Sequence, residues 1–218
     1  MVGTSLFEAS RMHTRPAVLV LLLACIPLAA LAQPGSPLLS DGLADWTLEN
    51  AEAGSFTFTD GVLRVSGSAG WLRSPREYAN FELGGQVRFV EADSDSGIFL
   101  RVESGTDFMR GWPGAAYQVQ MREISVNTSD NPLPLVNLYR HRVAEGFTSY
   151  RRERVFALYT GVGEWQDFTI RLSENTLTVQ MNGELVTEAE DLQNPSGYLG
   201  FQSETGVIEY RNMVLREF

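Results

Sequence analysis

The chain reads as an all-β protein, an antiparallel β-sandwich of the jelly-roll kind. Three observations predict this. Short runs rich in β-branched and aromatic residues recur at regular spacing, separated by Gly, Pro, Asn and Asp. Glycine at 20 and proline at 9 favour strands and turns over helices. Beyond the N-terminal leader no stretch carries the period of a well-developed amphipathic helix, and no repeat of roughly 20–50 residues is present. At 218 residues there is room for one such domain with its own core, plus a leader.

The elements follow in order. Ala17–Ala32 is an apolar run shorter than the roughly 20 residues of a spanning helix, and Met12-His13-Thr14-Arg15 gives it a compact positive lead. It reads as a secretory signal cleaved after Ala32, with Met1 or Met12 as the start, so the mature protein is expected to be secreted or periplasmic without a transmembrane segment. Leu22-Leu23-Ala24-Cys25 offers lipidation at Cys25 as an alternative, against which stands the apolar continuation from Ile26 to Ala32. Residues 33–40 read as a flexible lead-in and 41–218 as the jelly-roll domain. Ser55–Phe58 and Val62–Val65 flank Asp60-Gly61, a hairpin turn signal. Gly70–Ser74 is a short strand, and Phe81–Val90 a long one whose Gly84-Gly85 marks a bulge or a close backbone approach. Gly97–Glu103 and Ala116–Ile124 are strands joined by a long loop carrying Trp112, which fits either a hydrophobic anchor or a lid. Leu135–Tyr139 is a short strand. Arg140–Gly163 reads as irregular, with Arg151-Arg152-Glu153-Arg154 as a solvated charged turn. Glu164–Leu172, Thr176–Met181 and Glu184–Thr187 follow, the last two joined by Asn182-Gly183. Tyr198–Ser203 and Val207–Phe218 close the domain.

Composition excludes several chemistries. The net charge is −10, and it becomes one unit more negative once the leader is removed; such a surface disfavours nucleic acid and anionic lipid. Every basic side chain apart from histidine is arginine, so no lysine Schiff base can form. Cys25 is the only cysteine and lies in the leader, which leaves the mature chain without disulfides or thiolate metal sites. No His/Asp cluster has metal-ligand spacing, and no cofactor is expected; Asp93 and Asp95 with backbone carbonyls leave Ca²⁺ open. Asn127-Thr128-Ser129 fits the glycosylation pattern, which is common by chance and is assigned no role.

Function concentrates in Ala116–Ile124. Side chains of a strand alternate faces, so Gln118, Gln120 and Arg122 share one face while Tyr117, Val119, Met121 and Glu123 share the other. Two amides and a guanidinium in a row fit a solvated outer face or a ligand-binding face. Asp95–Arg101 adds a buried strand ending in an arginine suited to a polar ligand.

The closing segments, Gly197-Tyr198-Leu199-Gly200-Phe201-Gln202 and Val207–Phe218, resemble those of the 3-keto-disaccharide hydrolase family. So do Trp46, Asp60-Gly61-Val62-Leu63, Tyr78-Ala79-Asn80-Phe81-Glu82-Leu83, Asp95-Ser96-Gly97-Ile98-Phe99-Leu100-Arg101, and Glu164-Trp165 with Asn182-Gly183-Glu184-Leu185-Val186. The resemblance spans roughly Leu39–Phe218. It implies a concanavalin-A-like lectin/glucanase fold and cleavage of glycosides oxidised at C3, where the ketone acidifies the C2 proton and a base expels the C1 substituent. The chain departs from the family pattern at three places: Gln118 stands where the family has glutamate, Glu123 where it has aspartate, and Phe201-Gln202-Ser203-Glu204-Thr205-Gly206 lacks its histidine.

The resemblance thus implies a carbohydrate-active hydrolase or lyase, with a non-catalytic glycan-binding module as the alternative because of Gln118. Arg101, Arg122, Gln120 and Gln202 are candidate donors to the sugar, with Asp95, Trp112 and Tyr139 around them. Glu123, Glu204, His141 and the exchanged position Gln118 are the catalytic candidates. Glu123 reaches Gln118 only where a bulge turns it inward.

Overall fold

The computed structural model describes Met1 and residues 34–104, 111–125 and 134–218. The expected leader, with Cys25 and Ala32, and Asn127-Thr128-Ser129 lie outside the described residues. In chain order the elements are β1 (Ser36–Pro37), β2 (Thr47–Glu49), β3 (Phe56–Thr59), β4 (Val62–Ser66), β5 (Gly70–Tyr78), β6 (Phe81–Phe89), β7 (Asp95–Val102), β8 (Ala116–Arg122), β9 (Leu138–His141), β10 (Thr148–Tyr150), α1 (Arg152–Leu158), β11 (Gln166–Ser173), β12 (Thr176–Met181), β13 (Glu184–Ala189), β14 (Gly197–Ser203) and β15 (Val207–Glu217).

Two antiparallel sheets result. The larger runs β10-β13-β12-β11-β6-β15-β4-β3, with β1 also on β15, and the smaller runs β2-β5-β14-β7-β8-β9. Both predicted tight turns form as expected. Asp60 and Gly61 have φ of 51° and 77°, Asn182 and Gly183 48° and 81°, so each pair adopts the left-handed conformation that a two-residue hairpin requires. The terminal strands β2, β3, β9 and β10 are only three or four residues long, which limits the edge open to pairing with another chain.

Alternation builds the core. Leu63 and Leu83 of the larger sheet meet Ile98, Tyr117, Val119, Met121, Leu199 and Phe201 of the smaller one in a shared apolar cluster. Burying each such side chain stabilises the fold by roughly 1.5–3 kcal/mol. Gly85 is the close approach expected of Gly84-Gly85. A Cβ there would lie 3.0 Å from Phe168 Cζ and 3.1 Å from Met213 Cγ, and the register irregularity sits on the neighbouring β15, between Arg211 and Val214.

The structure departs from the sequence reading in three places. The lead-in is docked from Ser36 onward: Ser36 and Pro37 pair with Leu215 and Val214, Leu38 N donates to Met213 O at 2.9 Å, and Leu39 is buried. The segment read as irregular holds β10 and the helix α1. That helix has seven residues and buries only Val155, too little for a helical period to register, and Arg151 and Arg154 pair with Glu188 and Glu184 across β13. The strand expected at Leu135–Tyr139 begins at Leu138, because Val136 takes a left-handed φ of 57° and breaks the extended run. No helix among the described residues is long and apolar enough to cross a membrane.

Candidate functional site

With Tyr117, Val119 and Met121 committed to the core, Gln118, Gln120 and Arg122 occupy the opposite, outer face of the smaller sheet. Register decides what joins them. Phe99, Gly97 and Asp95 of β7 stand opposite Gln118, Gln120 and Arg122, and Tyr139 and His141 of β9 stand opposite Gln118 and Ala116. One strand beyond β7, Gln202 of β14 pairs with Trp71 of β5.

These side chains form one hydrogen-bonded network. Gln118 Nε2 donates to Gln120 Oε1 at 2.8 Å and to Gln202 Oε1 at 2.6 Å. Gln120 Nε2 donates to Asp95 Oδ1 at 2.6 Å, and Gln202 Nε2 to Glu204 Oε2 at 2.9 Å. At the other end His141 Nε2 lies 2.5 Å from Gln118 Oε1. Arg122 closes the acidic end, 3.2 Å from Asp95 Oδ2 and 3.6 Å from Asp93 Oδ1. Gln118, Gln120, Gln202, Asp95 and His141 are all buried.

Gly97 makes room for this arrangement. A Cβ on it would fall 2.0 Å from Gln118 Nε2 and 2.7 Å from Cδ, so the amide lies in the space that any larger residue would fill. Gly200 does the same for Trp71, whose ring carbons lie 2.4 and 2.7 Å from a Cβ built there. Nothing in a single sequence marks these two glycines as different from turn glycines; the signal is their position within strands opposite long side chains.

An aromatic band crosses the same face. Trp71 meets Phe99 edge-on with ring centroids 5.7 Å apart, Phe99 meets His141 at 5.8 Å, and Tyr139 tilts over His141 at 4.6 Å. Trp71 and Phe99 form, with Val102 and Ala116, an apolar cluster separate from the core. Trp112 packs against it and donates Nε1–H to Ser203 O at 3.2 Å, the anchor arrangement of the two that the sequence left open.

The electrostatics invert the usual order of two groups. Burial, reinforced by the negative charge of Glu204 and opposed by Arg122, pushes the Asp95 carboxyl up to about 7. Burial pushes the His141 imidazole down to about 4. Near neutral pH the histidine is therefore neutral and the carboxyl is part-protonated. Two buried polar atoms of this face have no hydrogen-bond partner among the described residues, His141 Nδ1 and Trp71 Nε1.

Two predicted residues lie elsewhere. Arg101 has φ of 49° at an irregularity where Phe99 and Val102 of β7 stand opposite Gly200 and Tyr198 of β14, three steps against two. Its buried guanidinium donates to Ala79 O, Glu174 O and Asn194 O at 2.7–3.2 Å, tying three loops together, and does not join the glutamines. Glu123 stays on the core side, as alternation dictates, with no bulge to turn it. Its carboxylate accepts from Ser125 N at 2.9 Å, Ser125 Oγ at 2.5 Å and Tyr159 OH at 2.8 Å. Burial works to raise it, but these hydrogen bonds outweigh burial and hold it below the usual carboxylate range. Of the remaining candidates, Gln118, Gln120, Arg122, Gln202, Asp95, Glu204, His141 and Tyr139 come together, and Trp112 flanks them. Among the described residues no group of three His, Cys, Asp or Glu side chains is placed to hold a metal ion.

Solved structures share this architecture. A candidate glycosyl hydrolase from Parabacteroides distasonis ATCC 8503 superposes with a TM-score of 0.63 at 18% identity, covering 85% of this chain and 100% of its own. The carbohydrate binding module CBM66 from Bacillus subtilis gives 0.53 at 10% identity, covering 80% and 97%. The VIP36 exoplasmic/lumenal domain, bound to Ca²⁺ and Man3GlcNAc, gives 0.55 at 12% identity, covering 83% and 87%. At these identities the likeness is one of fold. Among proteins with curated sequences none matches the chain. The sequence pattern of the 3-keto-alpha-glucoside-1,2-lyase-like domain, in contrast, runs through residues 36–216, and the chain belongs to that family.

Proposed function

We propose that this protein is an exported carbohydrate-active enzyme that binds a 3-keto-glycoside on the outer face of its smaller sheet and cleaves it by elimination next to the ketone. The observation that carries the reading is the convergence of three glutamines from two strands with Asp95, Glu204, Arg122 and His141. Amides that bond to one another can exchange those bonds for sugar hydroxyls, and Arg122 adds a charged donor for oxyanion character developing at C3. The half-buried rings of Tyr139 and Trp112 beside them suit the apolar face of a sugar ring. Family membership supports the reaction class, and the apolar run ending at Ala32 supports export.

The test is release of p-nitrophenol from p-nitrophenyl 3-keto-α-glucoside. The wild type releases it well above the buffer rate, and Gln120→Leu with Gln202→Leu lowers kcat/KM by about a hundredfold, the loss of some 2.7 kcal/mol of transition-state contacts. Absence of turnover across a panel of 3-keto-glycosides overturns the proposal. The closed hydrogen bonding of the amides and the Gln118 exchange favour a second reading, a glycan-binding module. Saturable binding of unoxidised sugars by calorimetry, with no product formed, distinguishes it.

A further inference from the structure

We propose that His141 is the proton-accepting group of this face, that it works from Nδ1, and that Gln118 is the positioning residue that leaves that atom free. The inference rests on the reaction proposed above and assigns the base that the reaction needs.

The direction of the hydrogen bonds carries it. Glu204 Oε2 accepts from the amide nitrogen of Gln202, so Gln202 Oε1 faces inward. Asp95 orients Gln120 in the same way. Two inward-facing carbonyl oxygens then demand both N–H groups of Gln118, which puts Gln118 Oε1 against His141. An amide oxygen only accepts. His141 must therefore donate from Nε2, and as a neutral imidazole it keeps its lone pair on Nδ1. The route from Glu204 gives this tautomer, and the route from Asp95 gives the same one in the ionised form of that carboxyl.

Nδ1 is the atom left over. It is buried and without a partner among the described residues, an arrangement that costs roughly 1–3 kcal/mol in a protein at rest. The rings of Phe99 and Tyr139 flank the imidazole. Burial holds the imidazole neutral, and in the hydrogen-bonded chain the amides stand between it and Asp95, Glu204 and Arg122. Trp71 Nε1, the other unpartnered atom of the face, is a donor.

The step balances without an added reactant. Nδ1 takes the proton from C2, and the C–H electron pair passes into the C2–C3 bond as the ketone becomes an enolate. Collapse of the enolate forms the C1–C2 double bond, and the C1–O bond breaks with its electrons on the departing oxygen. The imidazolium, made acidic by burial, gives that oxygen the same proton. The products are an enone and an alcohol, and His141 returns to its starting form.

The tautomer can be read directly in the full-length chain, whose histidines are His13 and His141. Two-bond ¹H–¹⁵N imidazole spectra are expected to show His141 protonated at Nε2, with an unprotonated Nδ1, and titrating well below the ordinary histidine range. Gln118→Glu places a carboxylate against Nε2–H and moves the titration of His141 upward by at least tenfold in proton concentration, whereas Gln118→Leu mixes the two tautomers. His141→Gln keeps a donor for Gln118, lacks a base, and lowers kcat at least a hundredfold while KM changes less than threefold. An Nδ1–H tautomer in the wild type overturns the inference even where turnover is observed. Full kcat in His141→Gln also overturns it and leaves the proposed reaction standing. Lack of turnover in the wild type is instead the failure of the proposed reaction. A thermal melt on each variant separates loss of the base from loss of the fold.

Discussion

Gly97→Ala is the sharpest probe of how the site is assembled. The added methyl would fall 2.0 Å from Gln118 Nε2 and 2.7 Å from its Cγ and Cδ, so the side chain must leave the slot. Leaving breaks the bonds of Gln118 to Gln120, Gln202 and His141. At a net value near 1 kcal/mol for each, the substitution destabilises by about 2–4 kcal/mol. The backbone adds nothing to this, since Gly97 does not have a positive φ and alanine is at ease in a strand. Gln118→Ala on its own removes the same bonds and costs a similar amount. In the Gln118→Ala background the three atoms nearest the methyl are gone, and Gly97→Ala then costs less than about 1 kcal/mol. Urea denaturation of the four proteins gives the coupling, expected at about 2 kcal/mol or more. Equal costs for Gly97→Ala in both backgrounds would refute the claim that this glycine exists to admit the amide.

Other predictions follow from the titrating and buried groups. The Asp95 carboxyl is raised from 3.8 to about 7, so its contribution to stability is complete below pH 4 and is lost as pH rises toward 7. Asp95→Asn, which keeps an acceptor for Gln120, gains on the wild type across that interval by at most about 4 kcal/mol, measured by denaturant titration at pH 4 and pH 8. The lowered imidazole of His141 acts in the opposite sense: stability present above pH 6.5 is lost as pH falls toward 4, and His141→Gln removes that loss, up to about 3 kcal/mol. Arg101→Ala strands the carbonyls of Ala79, Glu174 and Asn194 and destabilises by about 3–5 kcal/mol in urea, while the folded fraction keeps its sugar affinity. Glu123→Gln weakens the Ser125 and Tyr159 bonds and costs about 1–3 kcal/mol in stability, with kcat unchanged, because its carboxylate lies outside the network.

The sequence made the alternating strand legible because its period needs only local information. Gln118, Gln120 and Arg122 share a face as read, and the two hairpins form where Asp-Gly and Asn-Gly stand. Gln202, Glu204 and Asp95 were legible as polar residues at strand ends, but which of them meet is set by register across three strands. Arg101 was misplaced because one left-handed residue shifts the strand, and no residue type at that position announces it. The helix α1 escaped notice since seven residues burying Val155 carry almost no pattern. Trp71 was visible only as a strand tryptophan; its place beside Phe99 depends on Gly200 of β14, a neighbour in the sheet but far along the chain. The part of the site that is chemistry was therefore readable as residue types, and the part that is geometry came from pairing.

Hydrogen exchange at C2 tests the central claim without a leaving group. A 3-keto sugar lacking any C1 substituent, such as the 3-keto form of 1,5-anhydroglucitol, is incubated in D₂O and followed by proton NMR. The account predicts that the wild type exchanges the C2 proton well above the buffer rate and that His141→Gln does not. A C2 signal that persists in the presence of the wild type would contradict it.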